Sequence, residues 1–107
     1  MKKLLVIFLV TAFFSFLLIG QGVYAKEKSG EELFKENCSP CHPNGGNIVN
    51  PQLTLQKKDR EAHGVNKAED IIGKMRNPGP GMTQFDKKAI ADKDAKKIAE
   101  YILKTFK

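Results

Sequence analysis

The hydrophobic pattern divides the chain into an apolar leader and a longer segment of mixed polarity. From Leu4 to Gly20 almost every residue is apolar, and Lys2 and Lys3 precede this run. After Ala25 the apolar residues recur at three- and four-residue steps among lysines and acidic residues. This spacing is typical of amphipathic helices, and little of the segment alternates as a strand would. The pattern therefore predicts an all-α domain behind the leader.

The leader has the features of a signal peptide. A basic start, an apolar core and the small residues Val23 and Ala25 predict cleavage before Lys26. The alternative is an uncleaved membrane anchor, because the apolar run is just long enough to span a bilayer. We therefore predict a signal peptide or retained anchor at 1–25 and a folded domain at 26–107. The domain is expected in the periplasm or a compartment like the thylakoid lumen, with membrane contact only if the leader is retained.

Capping residues mark where three of the four predicted helices begin. Ser29 and Glu32 have the spacing of a capping box, in which the two side chains satisfy free backbone amides of the first turn. Thr54 is expected to cap a second helix, and Asn66 with Glu69 forms the pattern of another capping box. Gly64 is expected to end the second helix and Pro78 the third. The predicted helices run from Gly30 to Cys38, from Thr54 to His63, from Asn66 to Asn77 and from Asp92 to Phe106.

Two segments between the helices contain too many prolines and glycines to be regular. From Pro40 to Pro51 the chain is predicted to wrap as a loop around something. From Pro78 to Phe85 a second loop places the apolar sulfur of Met82 in the middle of a stiffened segment.

The last helix carries one apolar stripe, formed by Ala95, Ile98, Tyr101 and Ile102, with lysines on its outer faces. We expect this stripe to pack against the first helix. Gly30 would allow the two backbones to approach closely there, because it has no side chain.

The domain is small for the core that it must build. It has about 82 residues, which permits one domain with a thin hydrophobic core. Four of the seven phenylalanines lie in the leader. A large bound apolar group would make up this shortage.

The charge of the domain is modestly basic. Lys2 and Lys3 account for two of the 18 basic residues, so the domain keeps 16 against 12 acidic residues, a net charge of +4. This excess favours partners with acidic faces. Acidic residues are interspersed and stacking aromatics are lacking, so we predict a solvated surface and no nucleic-acid site. The basic residues in question are Lys57, Lys58, Arg60, Lys87, Lys88, Lys96 and Lys97.

The strongest local signal is Cys38-Ser39-Pro40-Cys41-His42, which fits the C-x-x-C-H pattern for attachment of c-type haem. Two thiols three positions apart can form thioethers with the two vinyl groups along one haem edge. The adjacent histidine then lies under the iron.

Three other interpretations of the motif compete with haem attachment. A thioredoxin-like redox pair needs a βαβ setting, which this helical pattern does not offer. A zinc site needs two more good ligands, and His63 is the one histidine besides His42. A structural disulfide stays open for an exported protein.

From Ser29 to Lys107 the chain resembles the class I monohaem cytochromes c, and it is most similar to the cytochrome c6 type and its bacterial relatives. The resemblance is carried by Gly30 and Phe34, by Gly45-Gly46-Asn47, by Pro51 with Thr54-Leu55-Gln56-Lys57, by Gly79-Pro80-Gly81-Met82 with Phe85, and by Ile98 with Tyr101.

The resemblance implies the cytochrome c fold, in which about four helices wrap around one haem attached through Cys38 and Cys41. It implies that His42 is the proximal iron ligand and Met82 the distal one. The residues themselves favour the same pair, because Met75 lies on the apolar stripe of a helix, where methionine usually fills the core.

His63 is the other conceivable distal ligand, although its position beside Gly64 favours an exposed residue at a helix end. The ring of His42 is expected to donate to a backbone carbonyl, and the resemblance makes Pro51 the candidate. Weaker candidates for contacts with the haem edge or propionates are Gly46, Asn47, Gln56 and Lys57.

With both axial positions filled by the protein, the iron has no open coordination site, so the expected function is one-electron transfer between redox proteins and not catalysis. Partners are expected to dock near Cys38 and Cys41 with acidic faces, and the domain is expected to be monomeric. One alternative is a haem sensor or small-ligand binder in which Met82 is displaced. Another is a disulfide protein without haem.

Overall fold

The computed structural model of the protein describes residues 25–107, together with residues 3 and 22. Within 25–107 the chain forms four α-helices and no strand, so the all-α prediction is confirmed for this part. None of the described helices has the length and apolarity needed to cross a membrane. The predicted cleavable leader at 1–25 falls almost wholly outside the described residues. The elements are α1 (Gly30–Asn37), a 3-10 helix (Pro43–Gly45), α2 (Lys57–Ala62), α3 (Ala68–Arg76) and α4 (Asp92–Thr105).

Helix α1 begins with the predicted capping box. The Ser29 hydroxyl accepts a hydrogen bond from the backbone N–H of Glu32 at 3.2 Å. The Glu32 carboxylate in turn accepts from the backbone N–H of Ser29 at 2.7 Å. The two bonds satisfy amides that have no partner within the helix, which fixes where α1 starts.

Helix α2 is shorter than predicted. Its N-terminal cap is Gln56, and no side chain caps it. The hydroxyl of Thr54 donates to Asp59 and accepts from the Gln56 N–H at 3.2 Å, so Thr54 connects the preceding loop to the helix without capping it. The predicted end is confirmed: His63 is the C-terminal cap, and Gly64 has a positive φ of 71°.

Helix α3 begins with a different carboxylate from the one predicted. Asp70, not Glu69, accepts hydrogen bonds from the backbone N–H groups of Asn66 and Lys67, at 3.0 and 3.1 Å. Lys67 is therefore the cap, and the helix starts at Ala68. The two amides hold the pKa of Asp70 below its ordinary value, because they favour the ionised carboxylate.

The core forms where α4 packs against α1 and α3. A Cβ atom on Gly30 would clash with the backbone carbonyl oxygen of Lys97, so the predicted close approach of α1 and α4 is confirmed. Next to this crossing, the ring of Phe34 lies 5.2 Å from that of Tyr101 and 5.4 Å from that of Phe106. The buried apolar residues are Leu33, Phe34, Ile71, Met75, Ile90, Ala95, Ile98, Ala99, Ile102 and Phe106.

Replacement of Gly30 by alanine is expected to lower the free energy of unfolding by roughly 1–3 kcal/mol, because the methyl group must push the two helix backbones apart. Thermal or denaturant unfolding of the haem-loaded protein measures this. Gly73→Ala in α3 is the matched control, since nothing lies within 4 Å of its Cβ position. That variant should be as stable as the parent or up to about 1 kcal/mol more stable. Equal stabilities of the two variants would contradict the close crossing.

One basic residue predicted to lie on the surface is buried. Arg60 is only 5% exposed. Its guanidinium donates to the backbone carbonyls of Leu55 at 2.7 Å, Val65 at 3.4 Å and Phe106 at 3.2 Å. The prediction was wrong here because Arg60 forms hydrogen bonds with backbone carbonyls at both ends of α2 and at the end of α4. These carbonyl oxygens take the place of water around its charge.

Candidate functional site

The cysteine motif lies at the end of α1, in a tight turn. Cys38 is the C-terminal cap of α1, and its N–H donates to the carbonyl of Phe34 at 2.8 Å. The carbonyl of Cys38 then accepts from the N–H groups of Cys41 at 3.1 Å and His42 at 2.8 Å. This turn brings both sulfurs and the imidazole to the wall of one cavity.

The orientation of His42 is set by a backbone carbonyl, as predicted, but the acceptor is Gly46 and not Pro51. The ring Nδ1 donates to the Gly46 carbonyl oxygen at 2.7 Å. The 3-10 turn at Pro43–Gly45 brings this carbonyl back over the ring. Because a carbonyl can only accept, Nδ1 carries a proton, and the neutral form of the ring then has its lone pair on Nε2. This tautomer is the one that binds a metal through Nε2.

The cavity has a volume of about 300 Å³ and touches all four helices. Its walls are mainly apolar, as in sites for large organic cofactors. Several wall residues, Val65 among them, lie outside the predicted helical stripes, so periodicity could not assign them to the site. The main apolar wall residues are Leu53, Leu55, Val65, Ile71, Phe85 and Ile102.

Met82 lines the same cavity from the loop between α3 and α4, and its side chain is half-buried. The loop lies against the one that follows the cysteine motif: a Cβ atom on Gly81 would be 2.8 Å from Cγ1 of Val49. The structure therefore brings Cys38, Cys41, His42 and Met82 to one cavity.

The two less favoured candidates for the distal ligand, Met75 and His63, also border this cavity. Met75 is 3% exposed and belongs to the hydrophobic core, as predicted for a core-filling residue in α3. His63 is exposed at the C-terminal end of α2, also as predicted. Unlike these two, Met82 is on a loop.

The environment of Cys38 argues against a redox-active dithiol. Burial raises the pKa of its thiol to about 11. Reactive C-x-x-C cysteines have a lowered pKa instead, because the thiolate is the nucleophile. A thioether carries no charge, so burial does not penalise it.

The two thiols are not joined in a disulfide, and residues 25–107 contain no group of three or more histidine, cysteine or acidic side chains able to hold a metal ion.

Asn47 shapes the loop on the exposed side of the cavity. Its amide nitrogen donates to the Leu53 carbonyl at 2.9 Å, and its amide oxygen accepts from the N–H groups of Val49 and Asn50, each at 2.9 Å. Of the four weaker candidates for haem contacts, Asn47 alone lines the cavity, whereas Gly46, Gln56 and Lys57 do not. Asn47 therefore lies at the cavity wall and also holds this loop in place through its three hydrogen bonds.

Taken together, these groups fit haem c. Two thiols three positions apart in the chain, one imidazole whose Nδ1 is held by a carbonyl and one thioether surround a mainly apolar cavity. Imidazole and thioether are axial ligands of haem iron in cytochromes c. The fold and site thus define a c-type cytochrome.

Comparison with known proteins gives the family. Residues 25–102 match the family described as cytochrome C oxidase, cbb3-type, subunit III. Cytochrome c6 of Rippkaea orientalis is 36% identical over 104 residues, which cover 96% of this chain and 93% of that protein. Cytochrome c6 of Nostoc sp. is 34% identical over 104 residues, with the same coverage of 96% and 93%. Among solved structures, OmcF, outer membrane cytochrome F from Geobacter sulfurreducens, is 46% identical with a TM-score of 0.72, and the match covers 74% of this chain and 100% of that one.

The chain therefore belongs to the class I monohaem cytochromes c. Haem c, with its iron, is the covalently attached cofactor of this family, and the cytochromes c6 are electron carriers, not enzymes.

Proposed function

We propose that this chain is an exported one-electron carrier whose haem is attached to Cys38 and Cys41 and ligated by His42 and Met82. The observation that carries the proposal is that these four side chains line one cavity. The leader at 1–25 supports export, with 26–107 as the mature domain.

Each of these residues has a defined part in the proposed function. The Gly46 carbonyl holds the His42 ring so that Nε2 is presented to the cavity. The Met82 thioether is a soft, neutral donor that favours ferrous over ferric iron, and the apolar walls disfavour the extra charge of the ferric form. Both effects raise the reduction potential. When bound, the haem supplies reversible one-electron chemistry.

Electron exchange is proposed to occur at the loop that follows the cysteine motif. Ile48 is 63% exposed, Val49 58% and Leu53 41%. We call these three residues the apolar rim. Val49 and Leu53 also line the cavity, and Cys41 is exposed. The apolar rim is therefore the proposed contact surface for a redox partner, in a small and transient interface.

The basic excess of the domain leads to a prediction about partners. The net charge of +4 at 26–107 falls to about +2 with two ionised propionates, so a partner with an acidic face is attracted at long range. Stopped-flow electron exchange with an acidic redox protein should slow, by roughly tenfold or more, as salt shortens the screening length from about 30 Å at 0.01 M to about 3 Å at 1 M.

A basic redox protein provides the control and should show the opposite salt dependence. Ile48→Ser should slow exchange with the acidic partner at every salt concentration while leaving the absorption spectrum unchanged, because Ile48 belongs to the apolar rim, does not line the cavity and carries no charge. A rate with the acidic partner that rises with salt would contradict the proposed electrostatic steering.

A further inference from the structure

The last turn of α3 holds a largely buried guanidinium next to the loop that carries Met82. The Arg76 side chain is 16% exposed. Its Nη1 donates to the backbone carbonyls of Phe85 at 2.9 Å and Asp86 at 3.0 Å. Its Nη2 donates to the carboxylate of Asp92 at 2.9 Å. The planar guanidinium thus joins the end of α3 to the far end of the loop and to the start of α4.

Two further hydrogen bonds close the same junction. The N–H of Phe85 donates to the carbonyl of Met75 at 2.9 Å. The side-chain amide of Gln84 donates to the carbonyl of Arg76 at 2.9 Å. With the two bonds from Arg76 Nη1, they fasten residues 84–86 to the end of α3. We call this set of hydrogen bonds the loop bracket.

The loop enclosed by this bracket has little structure of its own. Its internal backbone bond, from the N–H of Met82 to the carbonyl of Gly79, is long at 3.4 Å. Pro78 and Pro80 have no N–H to donate. Apart from the packing of Gly81 against Val49, the position of Met82 therefore depends on how firmly the two ends of the loop are held. At the start of the loop, the N–H of Asn77 donates to the carbonyl of Gly73 at 2.8 Å and continues α3.

We infer that Arg76 is a positioning residue for the distal ligand: by closing the far end of the loop, it keeps the Met82 thioether in the cavity and opposes its release from the iron. The inference rests on the proposed assignment of Met82 as that ligand. Without the guanidinium, the loop ends separate more easily. When Met82 is released from the iron, the loop of the variant can then adopt more conformations than the loop bracket allows in the parent protein.

Displacement of Met82 by added imidazole tests the inference. In the ferric, haem-loaded protein, the long-wavelength charge-transfer band of the methionine–iron bond disappears as imidazole replaces the thioether. Arg76→Met should raise the apparent imidazole affinity by about tenfold or more, because it removes charge-assisted hydrogen bonds to two carbonyls. Arg76→Lys should give a smaller increase, since an ammonium cannot span all three acceptors.

Lys87→Met is the matched control. Lys87 is the other partner of Asp92, at 3.0 Å, but it has no bond to the Phe85 or Asp86 carbonyls. The control should therefore bind imidazole like the parent. Parental affinity in Arg76→Met would overturn the inference. Equal increases in Arg76→Met and Lys87→Met would also overturn it, since they would assign the effect to Asp92 and not to the bracket.

Two further outcomes are distinguishable. If Arg76→Met fails to take up haem, Arg76→Lys decides: an increased affinity supports the inference and a parental one overturns it. If the parent protein lacks the charge-transfer band, or keeps it in Met82→Ala, the ligand assignment itself is wrong and the inference fails with it.

Discussion

Replacing Met82 by alanine is expected to abolish the methionine–iron charge-transfer band and to leave one axial position of the iron open. The reduced variant should then bind carbon monoxide rapidly at neutral pH, whereas the parent should not. The reduction potential should fall, because a neutral thioether favours ferrous iron. Axial ligands set haem potentials over a range of roughly 0.8 V. Absorption spectroscopy and redox titration measure both effects.

Met75→Leu is the control for this prediction. Met75 borders the same cavity but is packed in the core, so a side chain of similar volume should preserve the band at a cost below about 1.5 kcal/mol in stability. A Met82→Ala protein with the parental spectrum, or a Met75→Leu protein that loses the band, would show that the wrong methionine has been assigned. Rapid carbon monoxide binding by the parent would point to a ligand-binding haem protein.

Replacing both Cys38 and Cys41 by alanine is expected to abolish covalent attachment and to prevent stable folding. The cavity of about 300 Å³ would then have to collapse or fill with water. At about 24 cal/mol per Å³, an empty cavity of that size corresponds to an upper limit of roughly 7 kcal/mol. This is comparable with the entire stability of a typical domain, about 5–15 kcal/mol.

Circular dichroism and intact mass of the double variant measure folding and attachment. Ser39→Ala is the matched control, because it changes the same turn and keeps both sulfurs. That control should retain attached haem and the parental helix content. A double variant that stays folded with parental stability would mean that the haem is not the filler of the core.

Local signals predicted most of the fold. The capping box at Ser29 depends on residues three positions apart, and the prolines around Met82 exclude a helix whatever the rest of the chain does. The role of Gly30 could be predicted because the apolar stripe of α4 needs a partner helix. Such features follow from short segments and from the spacing of their residues.

The errors lie where competing neighbours or distant contacts decide. Glu69 and Asp70 are adjacent carboxylates, and the backbone angles at Lys67 decide which of them meets the free amides. Arg60 is buried because a carbonyl 46 residues away completes its set of acceptors. Such a contact cannot be predicted from composition, which places arginine at the surface.

The same distinction between local signals and distant contacts applies to the functional site. The motif from Cys38 to His42 is local, so it could be predicted from the sequence together with its chemistry. The carbonyl acceptor of His42 could not, because Asn44 adopts a left-handed conformation, with φ of 53°, inside the turn that brings Gly46 back to the ring. The bracket around Arg76 was also missed, since it depends on carbonyls of an irregular loop.

The most direct test of the account combines an absorption spectrum with an intact mass of the protein matured in a host that attaches haem c. The account predicts a six-coordinate haem spectrum with the methionine charge-transfer band and a polypeptide heavier by one haem under denaturing conditions. A colourless protein, or one with the mass of its polypeptide alone, would contradict it.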